Sequence, residues 1–187
     1  MAHMVRRAVP CGVADLADEI GFEAVTVSAL ARHFGVKDAS LYSHVRNLQD
    51  LKLRVATLAL TELADQAAAA LAGRAGEDAL IAFATTYRAY AHEHSGRYAA
   101  MRTDIPRDSP AVNAARRHSD LTRAILRGYD VEEPDQTDAV RMLHPTLHGY
   151  VHLELSGSFG HTPRPSETSW QATLTALHAV LTDWPSA

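Results

Sequence analysis

His144, His148 and His152 recur at every fourth residue, so a helix would carry all three imidazoles on one face. Imidazoles at i and i+4 can share a metal ion, and Glu154 follows closely, with His92, Glu93, His94 and His118 elsewhere in the chain. Two features count against a metal. Each four-residue step climbs about 6 Å, so the outer pair stand about 12 Å apart and cannot hold one ion. Pro145 also occupies the place where a zinc-protease motif has glutamate. The face is therefore read as a pocket wall or subunit contact in which His148 and His152 are polar points among apolar neighbours, and no metal or cofactor is expected. A helical-bundle metal-binding protein or enzyme using His144, His148 and His152 is the alternative. Cys11 is the only cysteine. It has no base at a recognisable spacing, so neither a nucleophile nor a disulfide is indicated and no catalytic residue is assigned.

A second constellation lies in residues 26–51, TVSALARHFGVKDASLYSHVRNLQDL. Two helices cross closely only where a small residue faces the crossing, which Ala31 supplies. The tight turn four residues later needs a positive backbone angle, which Gly35 supplies, and Val36 and Leu41 close the core beneath. This is the spacing of a helix-turn-helix, whose second helix enters the major groove because a width of about 12 Å admits a helix with its side chains. An ordinary helical hairpin satisfies the same spacing.

The next residues separate the two. LYSHVRN, at residues 41–47, resembles the end of the recognition helix in the TetR family of transcriptional repressors, and the resemblance covers about residues 8–55. It implies that Thr26, Ser28, Tyr42 and His44 position the DNA backbone while Lys37, Asp38, Ala39 and Ser40 face base edges. Leu48 departs from the pattern where the family has a phosphate-contacting lysine, and Arg46 is the available substitute. Asp38 in the groove would prefer the amino group of cytosine, or would serve only as a favourable charge at a helix amino terminus. Farther on, TLHGYVHLELSGSFG resembles the C-terminal signature of a TetR subgroup named for Trp-His-Gly, here Leu147-His148-Gly149. The resemblance implies a homodimer that binds a near-palindromic double-stranded operator and a small-molecule effector.

The elements that must hold these residues are helices. Apolar residues recur at spacings of three and four and sustained two-residue alternation is absent, so the chain is expected to be all-α with about nine helices. Residues 1–47 are read as a three-helix helix-turn-helix domain with an N-terminal arm carrying Arg6 and Arg7, and residues 48–187 as a helical effector-binding and dimerisation domain. The helices are expected over about 10–20, 27–34, 37–45, 48–72, 77–94, 97–102 and 111–128, with an eighth after the 132–135 turn reaching about 157 and a ninth over about 166–184. Thr26 and Asn47 are the caps, with Asp50 returning to the second, and Gly21 and Gly35 are the stops. Pro145 falls inside the eighth helix and is expected to bend it, freeing the carbonyl of Arg141. The space so opened would lie among Phe83, Tyr87, Tyr90, Met101 and Met142, with His148 and His152 as the polar groups.

Composition agrees. The 187 residues are 47% hydrophobic, and no uncharged apolar stretch approaches the roughly 20 residues of a membrane span. Met1-Ala2-His3-Met4 lacks the apolar core of a signal peptide and resembles a cloning remnant, so the native start is expected at Met4 and the location in the cytoplasm. The net charge of -4 argues against nucleic acid only until its distribution is examined. Residues 1–56 hold seven Lys/Arg against six Asp/Glu, and the remainder eleven against sixteen. A locally basic end suffices for DNA, because charges act strongly only within about 10 Å at ordinary salt.

Overall fold

The computed structural model describes residues 2–37, 46–109 and 111–185, with side chains from residue 11 onward. Every regular element among them is helical: α1 (Ala2–Ile20), α2 (Val27–Phe34), α3 (Leu48–Leu71), α4 (Gly76–Glu93), α5 (Ser95–Ala100), α6 (Ala111–Arg127), α7 (Asp135–Leu155) and α8 (Ser166–Thr182). Single 3-10 turns follow α1 at Phe22–Ala24 and α7 at Ser158–His161. The helix expected over about 37–45 lies outside the described residues.

One boundary differs markedly from expectation. α1 begins at Ala2 rather than near Pro10, so Arg6 and Arg7 belong to the helix and not to a flexible arm. Alanine, methionine and arginine are good helix formers, and an internal proline removes only one backbone bond, so the residues before Pro10 continue the helix. The other ends fall within a few residues of those read from caps and glycines. α7 runs on through Pro145 without interruption of the helix.

Contacts gather the chain into two compact units, Met1–Ala64 with Glu93–Arg116, and Asp65–His92 with Arg117–Ala187. The first unit takes in α5, which a division at residue 47 assigns to the bundle. Its core is Val13, Leu16 and Ala17 of α1, Phe22 and Val25 of the turn, Leu30 and Ala31 of α2, and Leu51, Val55 and Ala56 of α3, with Ala100 of α5. Burying one such leucine contributes about 1.5–3 kcal/mol, more than the cap beside it, which contributes about 0.5–2 kcal/mol. Packing sets the stability of this unit, and caps set where its helices begin.

α5 is tied to α1 by close backbone approach and by charge. A Cβ on Gly96 would overlap the carbonyl of Ala17, so only glycine fits there. Asp18 accepts from the backbone N–H of Arg97 at 2.8 Å and pairs with its Nε at 3.1 Å, while His94 Nδ1 lies 3.2 Å from the same carboxylate. Arg97 also pairs with Asp15 and, at 3.3 Å, with Glu62.

In the second unit Leu80, Phe83, Ala84, Tyr87 and Tyr90 of α4 are buried, as are Ile125 and Leu126 of α6, Leu143, Leu147 and Val151 of α7, and Trp170, Leu174, Leu177 and Leu181 of α8. A charged network ties three of these helices together. Arg88 of α4 donates from Nε and Nη2 to the two oxygens of Glu154 on α7, at 2.8 and 2.7 Å, and pairs with Glu167 of α8. Its guanidinium lies 5.2 Å from the ring of Trp170. The paired fork is a charge-assisted arrangement that holds Glu154 ionised, with a pKa of about 2 set chiefly by Arg88.

Candidate functional site

The end expected from sequence to form a helix-turn-helix is described over α2 and the turn at its carboxyl end. Thr26 adopts an extended conformation ahead of α2, and its Oγ1 accepts from the N–H of Ala29 at 3.0 Å. That satisfies one of the donors that a helix start leaves open. Gly35 then takes φ 63°, ψ 30°, and the N–H of Val36 returns to the carbonyl of Ala31 at 2.9 Å. A side chain with a Cβ would be strained in that left-handed turn. Ala31, the small residue expected from sequence to face a close crossing, is buried at 2% exposed.

Beyond the turn Lys37 is exposed, as is Arg46. Asp38, Ala39, Ser40, Tyr42 and His44 lie outside the described residues. The chain is described again at Asn47, whose Oδ1 accepts from the N–H of Asp50 at 2.8 Å, while Asp50 Oδ2 accepts from the N–H of Arg46 at 3.3 Å. The expected reciprocal cap is thus present, displaced by one residue on its return leg. Thr26 and Ser28 are both at least partly accessible, so each hydroxyl stands near the surface of the first unit.

In the second unit the aromatic and histidine side chains of α4, α6 and α7 meet. The ring of His118 lies 5.3 Å from that of Phe83, 6.1 Å from that of Tyr87 and 5.2 Å from that of His144. Thr122 Oγ1 is 2.7 Å from His144 Nε2 and 3.3 Å from the carbonyl of His118. The hydroxyl has one proton, so Thr122 either donates to Nε2 of His144 or accepts from it while donating to the carbonyl one turn earlier, according to the tautomer of His144. The phenol of Tyr87 is 3.1 Å from His148 Nδ1. His148 and His152 then stack with planes 6° apart and centroids separated by 6.1 Å.

His118 is only 7% exposed, and its Nδ1 has no hydrogen-bond partner. A neutral imidazole always presents one donor and one acceptor, and leaving either buried and unpaired costs about 1–3 kcal/mol. Burial, reinforced by the neighbouring His144, pulls the pKa of His118 down to about 4, and burial lowers that of His144. Both are therefore neutral rings at neutral pH.

The residues read from sequence as a pocket divide. Phe83 and Tyr87 join the His118 cluster, and His148 joins through Tyr87. Tyr90 is 1% exposed in the same unit, Met142 is half-buried, and His152 is exposed. Met101 belongs to the first unit instead. Sequence reading passed over His118 and Thr122 as pocket residues. Their signal was present: both stand four residues apart on the face of α6 that continues into buried Ile125 and Leu126, where a polar side chain needs a partner. Among the described residues no group of three or more His, Cys, Asp or Glu side chains is arranged to hold a metal ion. No helix among them is long and apolar enough to cross a membrane.

Known proteins resemble this chain in sequence and in fold. Residues 80–177 match the family model described as Tetracyclin repressor-like, C-terminal domain. An uncharacterised HTH-type transcriptional regulator of Mycobacterium tuberculosis is 34% identical over 158 residues, covering 83% of this chain and 72% of the relative. A second uncharacterised HTH-type regulator, YobS of Bacillus subtilis, is 26% identical over 156 residues, covering 83% of this chain and 82% of its own. Among solved structures, a protein of unknown function from Rhodococcus sp. RHA1 superposes with a TM-score of 0.78 at 22% identity, over 95% of each chain.

Proposed function

Since the chain belongs to the TetR family of helix-turn-helix transcriptional regulators, we propose that it is a ligand-responsive homodimeric repressor of a near-palindromic operator. The observation that carries the DNA-binding assignment is the left-handed Gly35 turn, closed by backbone bonds to the carbonyl of Ala31 and preceded by the Thr26 cap. In this reading residues 1–47 bind DNA and residues 48–187 sense the effector and dimerise. Thr26, Ser28, Tyr42 and His44 hold phosphates, with Arg46 in place of the lysine absent at residue 48. Lys37, Asp38, Ala39 and Ser40 face base edges.

Dimerisation is supported by apolar side chains left exposed on the last two helices of the second unit. Leu153 and Leu155 of α7 and Val180 of α8 are 45%, 37% and 44% exposed, and Ala172, Ala176 and Ala179 are exposed on α8 at the spacing of one helical face with Val180. A two-fold partner would cover that face and set two recognition helices about 34–36 Å apart, one turn of DNA. The effector reading is supported by the aromatic cluster of Phe83, Tyr87, His118, His144 and His148, in which a phenol and three imidazoles supply polar groups among ring faces. Tyr90, Met142 and His152 are proposed to complete it. Effector and operator would then oppose one another by a coupling of about 1–3 kcal/mol. The finer placement in a Trp-His-Gly subgroup is supported by Leu147-His148-Gly149 alone.

The test is selection of bound fragments from genomic DNA, followed by gel shifts of wild type and of Tyr42→Ala. A shared inverted repeat among the selected fragments, and uniformly weaker binding by the variant, are expected. Absence of any preferred sequence, or an unchanged shift for Tyr42→Ala, would refute the corresponding part.

A further inference from the structure

We propose that the effector is a neutral, flat aromatic compound bearing a hydroxyl, whose hydroxyl pairs with Nδ1 of His118 beside the rings of Phe83, Tyr87 and His144. The proposal rests on the effector reading above and names the chemistry that reading leaves open.

Three observations carry it. First, Nδ1 of His118 is a buried polar atom without a partner, and a ligand atom can supply what the folded chain does not. The neighbouring polar groups are engaged elsewhere, since Thr122 Oγ1 serves His144 and the Tyr87 phenol serves His148. Second, four rings converge there, with centroids 5.2, 5.3 and 6.1 Å from that of His118. Tilted rings at such distances pack on one another, and a further aromatic ring entering among them would exchange those contacts for equivalent ones. Third, Phe83, Tyr87, Thr122, His118 and His144 include no charged side chain, the two imidazoles being held neutral by burial. A carboxylate or ammonium placed among them would be buried without a counter-ion, a heavy penalty that a neutral group escapes. A hydroxyl both donates and accepts, so it satisfies His118 in either tautomer, whereas a carbonyl or a tertiary amine satisfies only one.

The experiment uses the full chain labelled with 15N-histidine and follows the imidazole nitrogens by NMR during titration with p-cresol, toluene, benzoate and benzylamine. The His118 signals are identified by their loss in His118→Phe. We expect p-cresol to move those signals saturably, toluene to bind about tenfold more weakly, and the two ions to give no saturable change. In His118→Phe, p-cresol should lose its advantage over toluene; if that variant fails to fold, the wild-type comparison of the two probes decides alone. Equal binding of p-cresol and toluene, tighter binding of either ion, or p-cresol shifts confined to other histidines would overturn the proposal. Gel shifts run alongside separate the two readings. Binding at His118 that leaves operator affinity unchanged supports the ligand class and refutes the effector role. Release of operator by p-cresol that survives His118→Phe refutes the site and leaves the effector role standing.

Discussion

The α-carbon of Gly96 faces the carbonyl of Ala17 so closely that a Cβ on the glycine would overlap the carbonyl carbon, its oxygen and the N–H of Asp18. The obstruction is backbone and not the end of a flexible side chain, so it cannot be relieved by a rotamer change. Gly96→Ala should therefore force α5 away from α1 and break the bonds of Asp18 to Arg97. A loss of about 1–3 kcal/mol is expected, read as a lower urea midpoint; an unchanged midpoint would show that the two helices part without cost.

Acid should destabilise the second unit in two windows. Above pH 6.5 His118 is neutral in both the folded and the unfolded chain and contributes no slope. Its folded pKa of about 4 lies below the ordinary 6.5, so between these values the unfolded chain binds a proton that the folded chain excludes. Stability therefore falls with pH across that window, by up to roughly 3 kcal/mol, and His144 adds in the same direction. Glu154 adds a second loss, because its folded pKa of about 2 lies below the ordinary 4.5 and the stability it contributes disappears as pH falls through that lower window. His118→Phe should flatten the slope between pH 6.5 and 4 and leave the lower one intact. An equal slope in both proteins would remove His118 from the account.

Leu153→Asp with Val180→Asp should yield a monomer without unfolding the chain, since both side chains reach the surface and the buried core of the single chain stays in place. A charge on each would instead be buried unpaired in the dimer. Light scattering after gel filtration measures this, and persistence of a wild-type dimer in the double variant would place the interface elsewhere.

Base preference should lie in different residues from affinity. Lys37→Ala and Asp38→Ala are expected to change which bases are favoured at particular operator positions, each mismatch being worth about 1–3 kcal/mol. His44→Ala should weaken every sequence alike. A preference profile untouched by Asp38→Ala would reduce that carboxylate to a helix-end charge.

The parts of this structure that are legible in the sequence are those decided locally. Thr26, Gly35 and Asn47 each fix a helix end through their own backbone or side-chain chemistry, and all three act as their residue types imply. The start of α1 has no such marker, and Pro10 imitates one because proline suits a first turn. The pairing of side chains within the His118 cluster is illegible for another reason. His144 and His148 are one turn apart on α7, yet the first meets Thr122 and the second Tyr87. Periodicity places both on a face but says nothing of which neighbour, 22 or 61 residues away, completes each pair. The grouping of α5 with α1 is likewise a long-range outcome, settled by Gly96 against Ala17.

Whether the chain binds its operator as a dimer is decided by footprinting it on the highest-affinity genomic fragment it selects. An operator-binding dimer should protect two inverted half-sites with centres about one helical turn, or a whole number of turns, apart, with both half-sites lost together in Tyr42→Ala. Protection of a single half-site, or uniform weak coverage without a boundary, would contradict it.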